Sequence, residues 1–137
     1  MLNKIRLLII LIIASFLLFS AKSFAFESEK PPLKYFQIDP NILTFYQSSG
    51  RKFGYIVVQI QIVVRGQENY DRVETHLPLI QDSLIDFFNR QSKETIQDLK
   101  QREQLRLDAK QKVDDILKEE LGISIVENLL FTQYVFQ

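Results

Sequence analysis

The chain has no cysteine and no tryptophan, a single histidine, and only 4 Gly and 4 Pro in 137 residues. Each shortage excludes a chemistry. Without Cys there is no disulfide framework, thiolate metal site, Cys nucleophile or thiol redox couple. With His76 as the sole imidazole, a multi-His metal site and a His-pair relay are out. The few glycines supply no Gly-rich phosphate loop, and Ser48-Ser49-Gly50 lacks the G-x-S-x-G elbow of a serine hydrolase. Acid is missing from the first 25 residues, which hold Lys4, Arg6 and Lys22. The other 112 residues carry 14 basic and 17 acidic groups, a net charge of about −3. A mildly acidic domain of mixed sign lacks the basic stripe that a phosphate backbone requires, so no nucleic-acid partner is expected.

What is present is apolar. Hydrophobic residues make up 46% of the chain, with 11 Phe and 5 Tyr among them, enough to fill the core of one domain. The N-terminus reads as an address. Lys4 and Arg6 precede an apolar run, Leu7 to Phe19, broken only by Ser15, and Ser23 and Ala25 stand at the −3 and −1 positions of a signal-peptidase site. Residues 1–25 are therefore a cleaved signal peptide or a retained membrane anchor. The 17 residues from Ile5 to Ala21 fall just short of the roughly 20 that a spanning helix needs. Either way the basic end stays in the cytoplasm and the rest of the chain is expected in the periplasm. Residues 26–32, ending in Pro31-Pro32, form a short semi-rigid spacer, and residues 33–137 form the domain.

Within the domain, Leu33 to Ile38 and Ile42 to Tyr46 read as short strands separated by the turn chemistry of Asp39-Pro40-Asn41. Lys52 to Arg65 alternates strictly, with Ile56, Val58, Ile60, Ile62 and Val64 on one face. Five aliphatics at that spacing represent about 10 kcal/mol of gross burial. The opposite face is mixed, which fits an antiparallel sheet packed on one side. Gly66 closes this strand and Asn69 can cap a helix whose apolar positions include Val73, Leu77, Ile80, Leu84, Phe87 and Phe88. Pro78 either kinks that helix or lies in the first turn of one beginning near Leu77. Asn89 to Ser92 is a break. A second long helix is expected over Ile96 to Leu121, with Leu99, Leu105, Ala109, Val113, Ile116, Leu117 and Leu121 in period, an αL cap at Gly122 and a hydrophobic contact from Ile123. Ile123 to Phe136 reads as a strand apolar on both faces, hence central or doubly covered, and pairing with 52–65 or its neighbour. The order is β-β-β-α-α-β: an α+β fold with two helices on one side of a mostly antiparallel sheet.

No constellation for chemistry emerges. His76 reads as a helix-surface residue with no partner acid at a facing spacing. Asp114-Asp115 and Glu119-Glu120 are adjacent on a helix and do not converge, so they read as solvated charges. So does the mixed-sign face of the second helix with Arg102, Arg106, Lys110, Asp114 and Lys118. No catalytic, cofactor-binding or metal-binding residue is assigned, and the protein is not expected to be an enzyme.

The ordering of the pieces is distinctive. Tyr35 to Pro40 is followed by Gly54-Tyr55-Ile56-Val57-Val58, by Leu77-Pro78-Leu79-Ile80-Gln81-Asp82-Ser83-Leu84-Ile85, by the break Phe87-Phe88-Asn89-Arg90-Gln91-Ser92, by the pair Leu105-Arg106, and by the terminal Leu129-Leu130-Phe131-Thr132-Gln133-Tyr134-Val135-Phe136-Gln137. Over residues 33–137 this resembles the flagellar basal body-associated FliL family, with Gln81 where the family usually has Arg; the resemblance leaves open whether the chain is the main family member or a periplasmic paralogue. It implies an SPFH/stomatin-like periplasmic domain at the inner membrane. It also implies ring-like homo-oligomers, contact with the flagellar stator and basal-body proteins, and a role in flagellar rotation, motility and chemotaxis. The competing expectation is a periplasmic peptide- or lipid-binding module unrelated to the flagellum.

Overall fold

The computed structural model describes residues 1–9, 29–50 and 53–137. Residues 2–9 are helical; the rest of the expected signal or anchor segment lies outside the described residues, as does Lys52. Among the described residues no helix is long and apolar enough to cross a membrane.

The domain is built on one long strand. Strand β3 (Gly54–Arg65) pairs antiparallel on one edge with β1 (Leu33–Gln37) and β2 (Ile42–Tyr46), and on the other with β4 (Val126–Phe136). Strands β1 and β2 are two halves of a single line. Leu33–Gln37 lies beside Arg65–Gln61 and Ile42–Tyr46 beside Val58–Gly54, so the residues between them, with a cis Asp39–Pro40 bond, bulge out opposite Gln59 and Ile60. Ile38 N–H still reaches Ile60 O at 2.9 Å across the bulge.

The alternation expected of β3 is present: Ile56, Val58, Ile60, Ile62 and Val64 are all fully buried. They face four helices, which lie on that one side of the sheet. Gly66, at φ +76°, turns the chain straight out of β3 into α1 (Gly66–Thr75). Helix α2 (Leu77–Asn89) follows with Pro78 in its first turn, then the short α3 (Lys93–Gln97), then α4 (Arg102–Leu121). The core joins the inner side chains of the sheet to Val73, Ile80, Leu84, Phe88, Ile96, Leu105, Ala109, Val113 and Leu117.

Several expectations are corrected. Among the described residues of the domain there are four helices, not two. The first begins at Gly66 rather than behind an Asn69 cap; Asn69 instead donates from Nδ2 to Arg65 O. The run expected to be helical from Ile96 breaks at residues 98–101, where Asp98 accepts from Lys100 N–H in a tight turn; Leu99 falls there and is exposed. Ser92 caps α3 by accepting from Thr95 N–H. Gly122 does cap α4 in the left-handed conformation, while Ile123 beyond it is exposed. The last strand begins at Val126 and lies at an edge of the sheet, paired with β3 alone among the described strands. It is neither central nor doubly covered. Its apolar excess arises from two bulges. Glu127 and Thr132 are extra residues against β3, so Val126, Leu129, Phe131, Tyr134 and Phe136 all turn to the inner face.

Candidate interaction surface

Part of the expected solvated face of the second helix, Arg102, Arg106 and Asp114, is in fact the seam between α4 and β4, while Lys118 on the same face is exposed as expected. Arg106 donates from Nη1 to Leu129 O at 2.6 Å and to Asn128 Oδ1 at 2.7 Å, while its other nitrogens grip Glu103. That grip lowers the Glu103 carboxyl below its ordinary range and raises the Arg106 guanidinium, in both cases mainly through the hydrogen bonds they share. Asp114 accepts from Ser124 Oγ and from Val126 N–H, tying the start of β4 to the same helix. Arg102 lies over the Tyr134 ring, its guanidinium carbon 4.4 Å from the ring centroid, with a buried Nε that has no hydrogen-bond partner among the described residues. Arg102, Arg106 and Asp114 are thus structural joints. Asp115, Glu119 and Glu120 are exposed as expected.

His76 is not a simple surface residue. It joins α1 to α2, with Nδ1 2.7 Å from Arg72 O and its carbonyl accepting from Ile80 N–H. Gln81 donates from Nε2 to Asp39 O at 3.2 Å, pinning α2 to the bulge between β1 and β2. Among the described residues no group of three His, Asp or Glu could hold a metal ion.

The far end of the sheet is organised by Tyr46. Its ring lies on the inner face across Gly54; its hydroxyl donates to Gln137 O at 2.9 Å and accepts from Gln97 Nε2 at 3.0 Å. Beside it, Tyr134 donates to Ile96 O at 2.7 Å, and burial pushes its phenol up to about 12 against the opposing pull of Arg102. These contacts fix the C-terminal end of β4 to α3.

With the four helices of the domain on the inner face, the outer face of the sheet carries apolar side chains that no described element covers. Leu43 is 62% exposed and Phe45 60%, and Phe53, Tyr55 and Val135 are exposed around them. Phe45 and Phe53 pack edge to face, 6.3 Å apart, and form a wall of a groove of about 720 Å³ whose other sides are Tyr46, Gln47, Ser48 and Asn89. None of these groove residues is charged at neutral pH. Sequence reasoning did not pick out this surface. Gly54, at the start of an aliphatic strand, marks only the close approach of Tyr46 on the inner face and not the outer surface.

The family model for flagellar basal body-associated protein FliL matches residues 35–137, from the middle of β1 to the end of the chain. The chain belongs to the FliL family. No curated protein matches it. The family match takes in β2, β3, β4 and all four helices, so the sheet and its helical layer are the family's domain, and the protein is a flagellar basal body-associated one.

Proposed function

We propose that this FliL-family protein is a non-catalytic part of the flagellar basal body that associates with the motor's stator units and modulates rotation, and through rotation motility and chemotaxis. Residues 33–137 act in the periplasm as an SPFH/stomatin-like domain. Residues 1–25 take it there as a signal peptide or hold it at the inner membrane as an anchor, and copies associate in a ring. The observation that carries this reading is the family match over residues 35–137. The fold supports it in one respect: with a helical layer on one face, the other face and its β2 edge are uncovered among the described residues and available for protein contact.

Deleting the gene is expected to lower swimming speed under viscous load. Swimming, swarming and tumbling bias unchanged at every load would remove the flagellar role. A periplasmic reporter fused after Gln137 is expected to be active, and intact-mass analysis distinguishes a mature chain starting at Phe26 from a retained anchor. The groove beside Phe45 and Phe53 favours a second reading, a periplasmic binding module for a peptide or lipid. It takes over if the deletion strain swims normally.

A further inference from the structure

The two edges of the sheet are built differently. In an antiparallel sheet the N–H and C=O of one residue point to the same side, and the side alternates along the strand. Tyr55 exchanges both of its bonds with Gln137 on the β4 side, at 3.1 and 3.0 Å, so Phe45, its neighbour on β2, receives none of them. Gln47 turns its backbone away from β3, donating to Gln91 O at 3.0 Å and accepting from Lys93 N–H at 2.9 Å. By the same alternation the backbone groups of Phe45 and Leu43 point outward. Neither has a strand beside it among the described residues. On β4 the outward groups are broken up by the bulges at Glu127 and Thr132. Leu129 O is held by Arg106, Leu129 N–H by Asn128 Oδ1, and Val126 N–H by Asp114.

The β4 edge is therefore bulged twice and partly capped, while β2, beyond the bulge that separates it from β1, is regular from Ile42 to Tyr46 and uncovered among the described residues. Protein edges are commonly protected by bulges, charges or covering side chains, as β4 is. Among the described residues Leu43 and Phe45 have no such protection, and they add exposed side chains at alternate positions. The edge also already accepts extended chain at its end: Gln91 to Lys93 pairs with it in parallel at Gln47.

We infer that the outer edge of β2 is a strand-addition site for an extended segment of a partner polypeptide. The segment pairs with the backbone of Leu43 and Phe45, stops at the Gln47–Ser92 bridge, and carries apolar side chains at alternate positions on the outer face beside Leu43, Phe45 and Phe53. The stretch from Asn41 to Ser49 holds no charged side chain, so those alternate positions of the occupant are uncharged. Open backbone donors and acceptors select a peptide over a lipid. Two copies cannot meet symmetrically about Thr44, because Gln91 to Lys93 of one would occupy the place of Asn41 of the other. This inference rests on the edge geometry and not on the flagellar role.

The test uses the purified full chain and a fluorescent ten-residue probe peptide of alternating threonine and valine. A control peptide is N-methylated at the alternate amides that would face β2. Saturable binding is expected, with amide-exchange protection appearing at Leu43 and Phe45. The methylated peptide is expected to bind about tenfold more weakly or worse. Phe45→Pro removes an outward N–H, a position where an edge strand tolerates proline, and is expected to reduce binding similarly with the melting temperature retained. Should that variant unfold, Leu43→Lys gives the same reading through the side chain. Equal binding of the methylated peptide, protection of Tyr134 and Phe136 instead, or no saturable binding overturns the inference. So does protection of Leu43 and Phe45 that grows with protein concentration without peptide, which assigns the edge to a second copy. Motility is not read in this experiment, so its failure leaves the basal-body proposal standing.

Discussion

The ring of Tyr46 occupies the space that a side chain on Gly54 would need: a Cβ placed there would lie 2.1 Å from Tyr46 Cζ. The two residues are cross-strand partners, and the missing side chain of one lets the other lie across the sheet to reach Gln137 and Gln97. Gly54→Ala must therefore displace a ring that is 3% exposed. It is expected to cost about 1–3 kcal/mol, as overpacking of a filled core does. Tyr46→Phe keeps the ring but removes both hydroxyl bonds, for a loss of about 1–3 kcal/mol. Urea denaturation of the two variants measures both. A Gly54→Ala protein as stable as wild type would mean that Tyr46 has another place to go.

Arg106 is expected to matter more than its position on a polar helix suggests. Arg106→Gln strips Leu129 O and Asn128 of their donor at a largely buried seam, a loss of about 1–3 kcal/mol. Glu103→Gln removes only a solvent-facing partner and is expected to have the smaller effect, since exposed ion pairs are screened. Because Glu103 titrates below its ordinary value in the fold, whatever it contributes is present above the unfolded value and is lost as pH falls through the folded one. Denaturation midpoints of the two variants at neutral and acid pH check the order: Arg106→Gln should be the weaker protein at both, and the wild type and Glu103→Gln should converge in acid.

The long strand was readable because β3 keeps its period of two through the residues that meet the helices, from Ile56 to Val64. Strand β4 was misread for the converse reason. Period-two counting assumes an unbroken ladder, and each bulge, at Glu127 and Thr132, moves the following residues to the other face. Five apolar residues that share one face then look like apolar residues on two. The seam between α4 and β4 was hidden in a different way. A helical projection separates Arg106 and Asp114 from the apolar stripe but cannot show that a strand edge with free backbone groups lies against them. The break after α3 turns on Asp98 folding back onto Lys100 N–H, a local bond that competes with the helix and leaves no mark in the apolar spacing. The open β2 edge was unreadable in principle, because strand order is a tertiary fact.

Alkali should expose Tyr134. Its phenol is raised to about 12 by burial, against an ordinary value near 10 in the unfolded chain. A tyrosine raised in the fold favours the protonated, folded state. Its contribution is whole below about pH 10 and is lost as pH rises from there through about 12. Spectrophotometric titration is expected to show one tyrosine ionising later than the exposed ones, and Tyr134→Phe should abolish that late step. The variant also loses the bond to Ile96 O, so it should be less stable at neutral pH and less sensitive to alkali than wild type. A late step that survives in Tyr134→Phe would assign the raised group elsewhere.

The two faces of the domain should separate in a motility assay. Lys112 and Lys118 are exposed on α4, on the layer opposite the open face, and surface reversals there usually change stability by under about 0.5 kcal/mol. Leu43 is similarly exposed, so Leu43→Lys should also leave folding intact while placing a charge on the apolar edge. If the sheet edge is the surface that works in the motor, Leu43→Lys lowers swimming speed under viscous load, and Lys112→Glu and Lys118→Glu do not. Periplasmic levels and melting temperatures of all three variants, measured alongside, exclude loss of protein as the cause. The reverse pattern, slow swimming from the helix reversals with a silent Leu43→Lys, would move the working surface to α4. Strand addition at β2 would then have to serve some other partner, because the edge geometry that supports it does not depend on which face meets the motor.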